Sequence, residues 1–224
     1  MLHTPIIAFD FSMNKPAMAS FIDNKLELYI FPSNIDSKSE SVLTNAGVTV
    51  VSRNLEKMHN KGLNEHELIL KHVTRASNLA DLIIKHIKVI LEKYNVTDYS
   101  SVIIANEGFA FSSNGNATLD LSGYKYILMY KLMLEGFDKF KTYAPAAIKS
   151  TAGCAKRGMG KNDMIEQMGN ENQDLHLMIY LLAHNPQAMK KKANYVTGTD
   201  DLADAFWCLK TVVKKENINC ILSK

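Results

Sequence analysis

Cysteine is scarce in this chain: Cys154, Cys208 and Cys220 form no CxxC pair and leave one over. That excludes a disulfide scaffold and fits free thiols in a reducing, cytoplasmic setting. Long apolar runs are absent too. None approaches the roughly 20 residues a membrane helix needs, so no membrane-spanning segment is expected. The opening "MLHTPIIAFD" has no basic region followed by a long apolar stretch, and no secretory leader is expected from it. The seven histidines are scattered, with no HExxH or Cys/His zinc pattern, so a zinc centre is not expected. A net charge of +3 is too small to name a partner by itself.

What is present is a composition of 46% apolar and 22% charged residues over 224 positions, enough for one domain with a full core. The expectation is a single domain over 1–224, with 32–64 as an insertion or extended loop region. "IIAFDF" (6–11) reads as a buried strand. "MASFI" (18–22) and "LELYIF" (26–31) read as a hairpin turned at "DNK". Residues 32–64 are polar and irregular, with "VTVVSR" (48–53) as a short strand among them.

The clearest helix covers 65–93, where Ile69, Val73, Ala76, Ala80, Ile83, Ile87 and Ile90 recur at alternating four and three. That stripe packs on a sheet, or else forms a dimer seam. "SVIIANE" (101–107) is a second buried strand, followed by a helix over 117–136 stopped at Gly136. A strand over 139–144, a short helix opened by Pro145, one after Lys161, one over 174–184 and a last one near Asp201 complete the pattern. Strands first, then helices alternating with strands, predict an α/β fold with a mixed sheet of about five strands covered on both faces.

Acids stand where an apolar core should be. Asp10 and Glu107 end two buried strands, and such placement is costly unless the carboxylate meets a lysine, caps a loop or binds a cation. Asp201 and Asp204 are three apart, on one face of the last helix, followed by Ala205, Phe206, Trp207 and Leu209. Asp200 points about 100° away from Asp201 and reads as an alternate ligand or an N-cap. Four carboxylates and no histidine suit Mg²⁺ or Mn²⁺, which take oxygen ligands. Two such ions can clamp the attacking and leaving oxygens of a phosphodiester.

The bases complement them. From Lys139 to Lys161 there are six cations (Lys139, Lys141, Lys149, Lys156, Arg157 and Lys161) and no acid. "STAGCAKRGMGK" reads as a surface loop able to hold a polyanion beside the acids. "KKK" at 190–192 is a second candidate for phosphate contact.

In this order the blocks resemble the RNase H-like nucleases, and within them the RuvC-type Holliday-junction resolvases of a phage or other viral branch. The blocks are "IIAFDFSMNKPAMAS", "NEGFAFSSNGNATLDLSGYKYIL", "APAAIKSTAGCAKRGMGKNDMIEQM" and "DDLADAFWCLK". They cover most of 5–31 and 101–213. The sequence departs from the bacterial pattern at Phe11 and Ser12, where Pro-Gly is usual.

The resemblance implies an RNase H-like three-layer fold and a metal-dependent endodeoxyribonuclease that resolves four-way DNA junctions by paired nicks. It makes Asp10, Glu107, Asp201 and Asp204 the ligands of two Mg²⁺ or Mn²⁺ ions, with Asp10 bridging them. Lys161 matches a family lysine near the scissile phosphate, while Lys149, Lys156 and Arg157 match DNA contacts. Phe109 and Phe111 follow the catalytic Glu, where the family places an aromatic that enters the junction; core packing is the other reading of these rings. Branched DNA would be the partner, a homodimer the assembly, and the host cytoplasm the location of a phage-encoded enzyme. An RNase H or a terminase-type nuclease would share the same acids, so the alternative is another RNase H-like nuclease acting on branched or hybrid nucleic acid.

Overall fold

The computed structural model describes residues 4–53, 62–108, 115–171 and 198–218. Strands β1 (Ile6–Asp10), β2 (Ala17–Ile22) and β3 (Lys25–Ile30) form an antiparallel meander. The β2–β3 turn is two residues long, and both Asp23 and Asn24 take positive φ (50° and 59°), the conformation that matches strand twist. Helix α1 (Ser37–Asn45) leads to β4 (Thr49–Val50), which pairs parallel to β3. Helix α2 (Glu65–Lys93) follows, opened by a capping box between Asn64 and Glu67. Next come β5 (Ile103–Glu107), α3 (Gly115–Leu134), β6 (Lys139–Tyr143), α4 (Pro145–Thr151), α5 (Lys161–Glu171) and α6 (Thr199–Lys215).

The sheet order is β4-β3-β2-β1-β5-β6, with β5 parallel to both β1 and β6. This is the expected α/β architecture, a mixed sheet between helical layers, with six strands in place of about five. The strand expected within 48–53 is present as β4, a two-residue edge strand, and it brings the count to six.

Strand alternation sorts the core into two layers. Ile6 and Ala8 of β1, Ala17 and Ala19 of β2, and Ile103 and Ala105 of β5 pack with Phe206, Trp207 and Leu209 of α6. Ile7 and Phe9, Met18 and Ile104 pack instead with Ile83 and Ile87 of α2 and Leu128 and Leu132 of α3. Alanines on the first face let α6 lie close to the sheet, where it is buried nearly all round beneath α4 and α5. Trp207 Nε1 donates to Met164 O of α5 at 2.8 Å, and Thr211 Oγ1 reaches Thr151 Oγ1 of α4 at 3.0 Å. Both buried polar groups are thereby satisfied and tie the three helices together.

Three expectations need correction. Residues 37–45, expected irregular, form α1, because Asp36 caps the helix through Ser39 N and Val42 and Leu43 supply one buried turn. The apolar stripe of α2 runs its full predicted length, yet its first members leave the core: Ile69 is 54% and Val73 48% exposed. The helix outruns the sheet it covers, so only the stripe from Ala76 onward is buried. Finally, α6 begins on Gly198, not on Asp200; Gly198 is the N-cap and Asp200 lies within the first turn. The predicted helix over 174–184, "KKK" at 190–192 and Cys220 fall outside the described residues. Among those described, no helix is long and apolar enough to cross a membrane.

Candidate metal centre

Strand geometry brings the first two acids together. In β1 the side chains of Ile6 and Ala8 face α6, so Asp10, two residues on, falls on the same side. In β5 the series Ile103, Ala105, Glu107 does likewise. The strands are parallel neighbours with Ile6 opposite Ile103 and Phe9 opposite Asn106, so Asp10 and Glu107 are the next residues of the two strands, side by side at the carboxyl edge. The third acid comes from α6, which crosses this face. Ligand oxygens of Asp10, Glu107 and Asp204 all lie within 4.8 Å of one another.

Asp201 stands one turn before Asp204 and outside that three-carboxylate group, although its charge bears on Asp10. It is 8% exposed and Asp204 9%. Asp200 is by contrast half exposed and pairs with Lys161 at 3.5 Å. The acids predicted from the sequence therefore divide: Asp10, Glu107 and Asp204 converge, Asp201 adjoins them, and Asp200 faces outward.

Lys161, the first residue of α5, places Nζ 3.0 Å from Asp204 Oδ2. Gly160, just before it, donates its N–H to Asp163 Oδ2 at 2.6 Å, which fixes the start of the helix and hence the lysine. Burial works against the Lys161 charge, but the fields of Asp204, Asp200 and Asp10 together hold its pKa above the ordinary lysine range.

The carboxylates are under-neutralised. Burial, followed by the charges of Asp204, Asp201 and Glu107, holds Asp10 well above the ordinary carboxylate range, with Lys161 opposing. Asp201 is pushed up to about 6 by burial first and then by Asp200 and Asp204, against Lys161 and Lys15. Glu107 is raised by burial and by Asp204, while Lys161, Lys149 and Lys125 pull the other way. Even Asp204, in direct contact with Lys161, is raised because burial outweighs that contact. Lys161 in contact, with Lys15, Lys125 and Lys149 farther off, does not offset the burial of these acids in a low-dielectric setting. The donor set fits a divalent cation: three converging carboxylates, no sulfur or imidazole, and an excess of negative charge.

The acid-free run is not one patch. Lys141 is bound to Glu216 at 2.8 Å, and Lys139 begins β6, at the opposite end of that strand from the acids, beside Asp98. Lys149, on α4, is exposed and close enough for its charge to act on Glu107 and Asp204. Lys156 and Arg157 are exposed on the loop between α4 and α5, a loop anchored by buried Ala152 and Cys154. Phe109 and Phe111 lie outside the described residues.

Two residues escape a motif search. Lys125 on α3 is only 5% exposed, and its Nζ donates to Glu107 O at 2.6 Å. Its pKa is lowered by burial, with Cys208 and Glu107 opposing. The signal that could have found it is register: it precedes buried Leu128 by three and Leu132 by seven, a lysine in an apolar stripe. Arg53 Nη2 donates to Met13 O at 3.1 Å and Asn14 O at 2.7 Å, holding the turn that follows Asp10.

No protein-family model matches the chain, and no curated protein does. Among solved structures, Thermus thermophilus RuvC in complex with a Holliday-junction substrate aligns at a TM-score of 0.45 with 11% identity, over 95% of this chain and 96% of that one. A second Thermus thermophilus RuvC structure aligns at 0.42 and 11%, over 96% and 97%. The yeast mitochondrial Holliday junction resolvase Ydc2 aligns at 0.43 and 12%, over 92% of this chain and 76% of that one.

Proposed function

We propose that the chain is a divalent-metal-dependent, structure-selective endodeoxyribonuclease that resolves four-way DNA junctions. The observation that carries this reading is the convergence of Asp10, Glu107 and Asp204 within 4.8 Å, with the Lys161 ammonium on the same cluster. In this reading Asp10, Glu107, Asp204 and Asp201 hold Mg²⁺ or Mn²⁺, two ions per site. Bound there, the metal would supply charge stabilisation and an activated water for phosphodiester hydrolysis.

The remaining work belongs to the chain's own side chains. The parallel strand ends fix Asp10 and Glu107 before any ligand arrives, which limits reorganisation during the reaction. Lys161 places a positive charge at the rim, where a phosphate oxygen approaching the acids would meet it. Lys149, whose charge acts on Glu107 and Asp204, and the exposed Lys156 and Arg157 of the α4–α5 loop would neutralise flanking phosphates. Paired nicks across a junction require two active sites, so the working form is a homodimer with two-fold symmetry.

The test is cleavage of a mobile four-way junction, a plain duplex and an RNA–DNA hybrid in Mg²⁺ and in EDTA, read on a denaturing gel. The expected result is paired junction nicks in Mg²⁺ only. Preference for the hybrid would instead make the chain another RNase H-like nuclease. Full cleavage by Asp10→Asn would remove the metal-site reading altogether.

A further inference from the structure

We infer that Lys125 is a positioning residue for Glu107, holding that carboxylate in the metal-binding arrangement by clamping its main chain. The inference rests on the metal-site reading above. Glu107 ends β5, and its peptide is gripped from two directions. On the sheet side, Gly108 N–H donates to Tyr143 O of β6 at 2.7 Å. A Cβ at Gly108 would lie 3.3 Å from both Thr142 Cγ2 and Tyr143 O, so the chain passes β6 too closely for most side chains to fit easily. On the helical side, Lys125 Nζ donates to Glu107 O at 2.6 Å. With the strand end held by both, the Cα–Cβ bond of Glu107 is directed to the face that carries Asp10 and Asp204.

The chemistry of Lys125 argues that this contact has a purpose. The residue occupies a buried stripe with Leu128 and Leu132, where leucine or methionine would pack without any desolvation cost. An ammonium placed there costs free energy. It also sets a positive charge beside a cation site, which by itself weakens cation binding. Charge and position therefore act on metal affinity with opposite signs, and that makes the role measurable.

The experiment is Mn²⁺ binding, followed by electron paramagnetic resonance of free Mn²⁺, on the full chain without DNA. Wild type, Lys125→Met, Lys125→Arg and Lys125→Gln are compared. The expected result is about tenfold weaker binding in Lys125→Met, as for loss of a group that orients a metal ligand. Lys125→Arg should stay within about threefold of wild type, because it keeps a donor for Glu107 O. Lys125→Gln, uncharged and one bond shorter so that its amide falls short of Glu107 O, should weaken binding as Lys125→Met does.

Unchanged or tighter binding in Lys125→Met overturns the inference, and so does a lower melting temperature at unchanged affinity. If Lys125→Met fails to fold, Lys125→Gln decides, and unchanged or tighter binding there overturns it. Mn²⁺ binding by wild type together with normal affinity in both neutral variants would sink this inference alone. No Mn²⁺ binding by wild type would sink the metal-site reading with it.

Discussion

Lys161 Nζ lies 3.0 Å from Asp204 Oδ2, bridging the first residue of α5 and the acid face of α6. The contact is built by packing elsewhere: Trp207, one turn along α6 from Asp204, donates to Met164 O in the first turn of α5. Lysine and carboxylate are thus delivered by two helices that are joined at a buried hydrogen bond. The ammonium partly offsets the clustered acids, and a divalent cation would compete with it for Asp204.

Replacing it should separate binding from catalysis. Lys161→Met removes a cation that repels the metal, so Mn²⁺ should bind roughly threefold to tenfold more tightly, the lysine being half exposed and screened. Junction cleavage should nonetheless fall about a hundredfold, as when one charge-stabilising group is lost from an active site. Titration with Mn²⁺ and single-turnover cleavage check the two effects. Unchanged cleavage would show that Lys161 only neutralises acids.

A second expectation concerns pH in the absence of metal. A carboxyl whose pKa is higher in the folded state stabilises the fold below its unfolded value, and that contribution disappears as pH rises through the folded value. For Asp201 the window runs from 3.8 to about 6. Asp36, Asp98 and Glu216 are shifted down and act in the opposite direction, so the comparison is made against Asp201→Asn, which leaves them in place. Relative to that variant, metal-free wild type should lose on the order of 2 kcal/mol between pH 4 and 7. Millimolar Mn²⁺ should restore it at pH 7. A flat difference in melting temperature across that range would contradict the burial argument.

The two neighbouring aspartates give a third expectation. Asp201 is buried and bears on Asp10, whereas the Asp200 side chain is 44% exposed in the first turn of α6. Asp201→Asn should therefore reduce cleavage at least tenfold more than Asp200→Asn. Asp200→Asn should act mainly through its ion pair with Lys161, and salt should mask much of its effect. Equal losses in the two variants, measured at the same Mg²⁺ concentration, would count against this division.

Much of this site is legible in the sequence because strands announce their faces. Period-two alternation in "IIAFD" and "IIANE" puts the terminal acid on the side of the alternate apolar residues, and parallel pairing then sets the two acids side by side. The spacing of Asp201 and Asp204 sets their common helical face. Sequence does not divide those two, because the distance to Glu107 depends on how α6 crosses the sheet, which the alanines of β1, β2 and β5 decide. Nor does a run of cations reveal that Lys141 is occupied by Glu216, seventy-five residues away. Helix α1 escapes a pattern reading because "SKSESVLTN" carries only one buried turn, and its start depends on the cap at Asp36.

The start of α6 supplies the last expectation. Gly198 has φ +93°, and a Cβ there would lie 2.1 Å from Ile30 Cδ1 on β3. Gly158, in the loop before α5, has nearly the same φ, +95°, with nothing within 4 Å. Gly158→Ala should cost about 1 kcal/mol, the penalty of a left-handed backbone for an L side chain. Gly198→Ala should cost about 2–4 kcal/mol, because Ile30 is fully buried and cannot move aside without overpacking. Since Gly198 O accepts the first α6 hydrogen bond, from Leu202 N at 3.0 Å, displacement there should also shift Asp201 and weaken Mn²⁺ binding. Ile30→Val deletes the clashing methyl at about 1 kcal/mol on its own. Combined with Gly198→Ala it should recover at least that much, so the double variant is more stable than the sum of its parts. Strict additivity in denaturant unfolding would place the strain in the backbone alone and leave the Ile30 contact without a role.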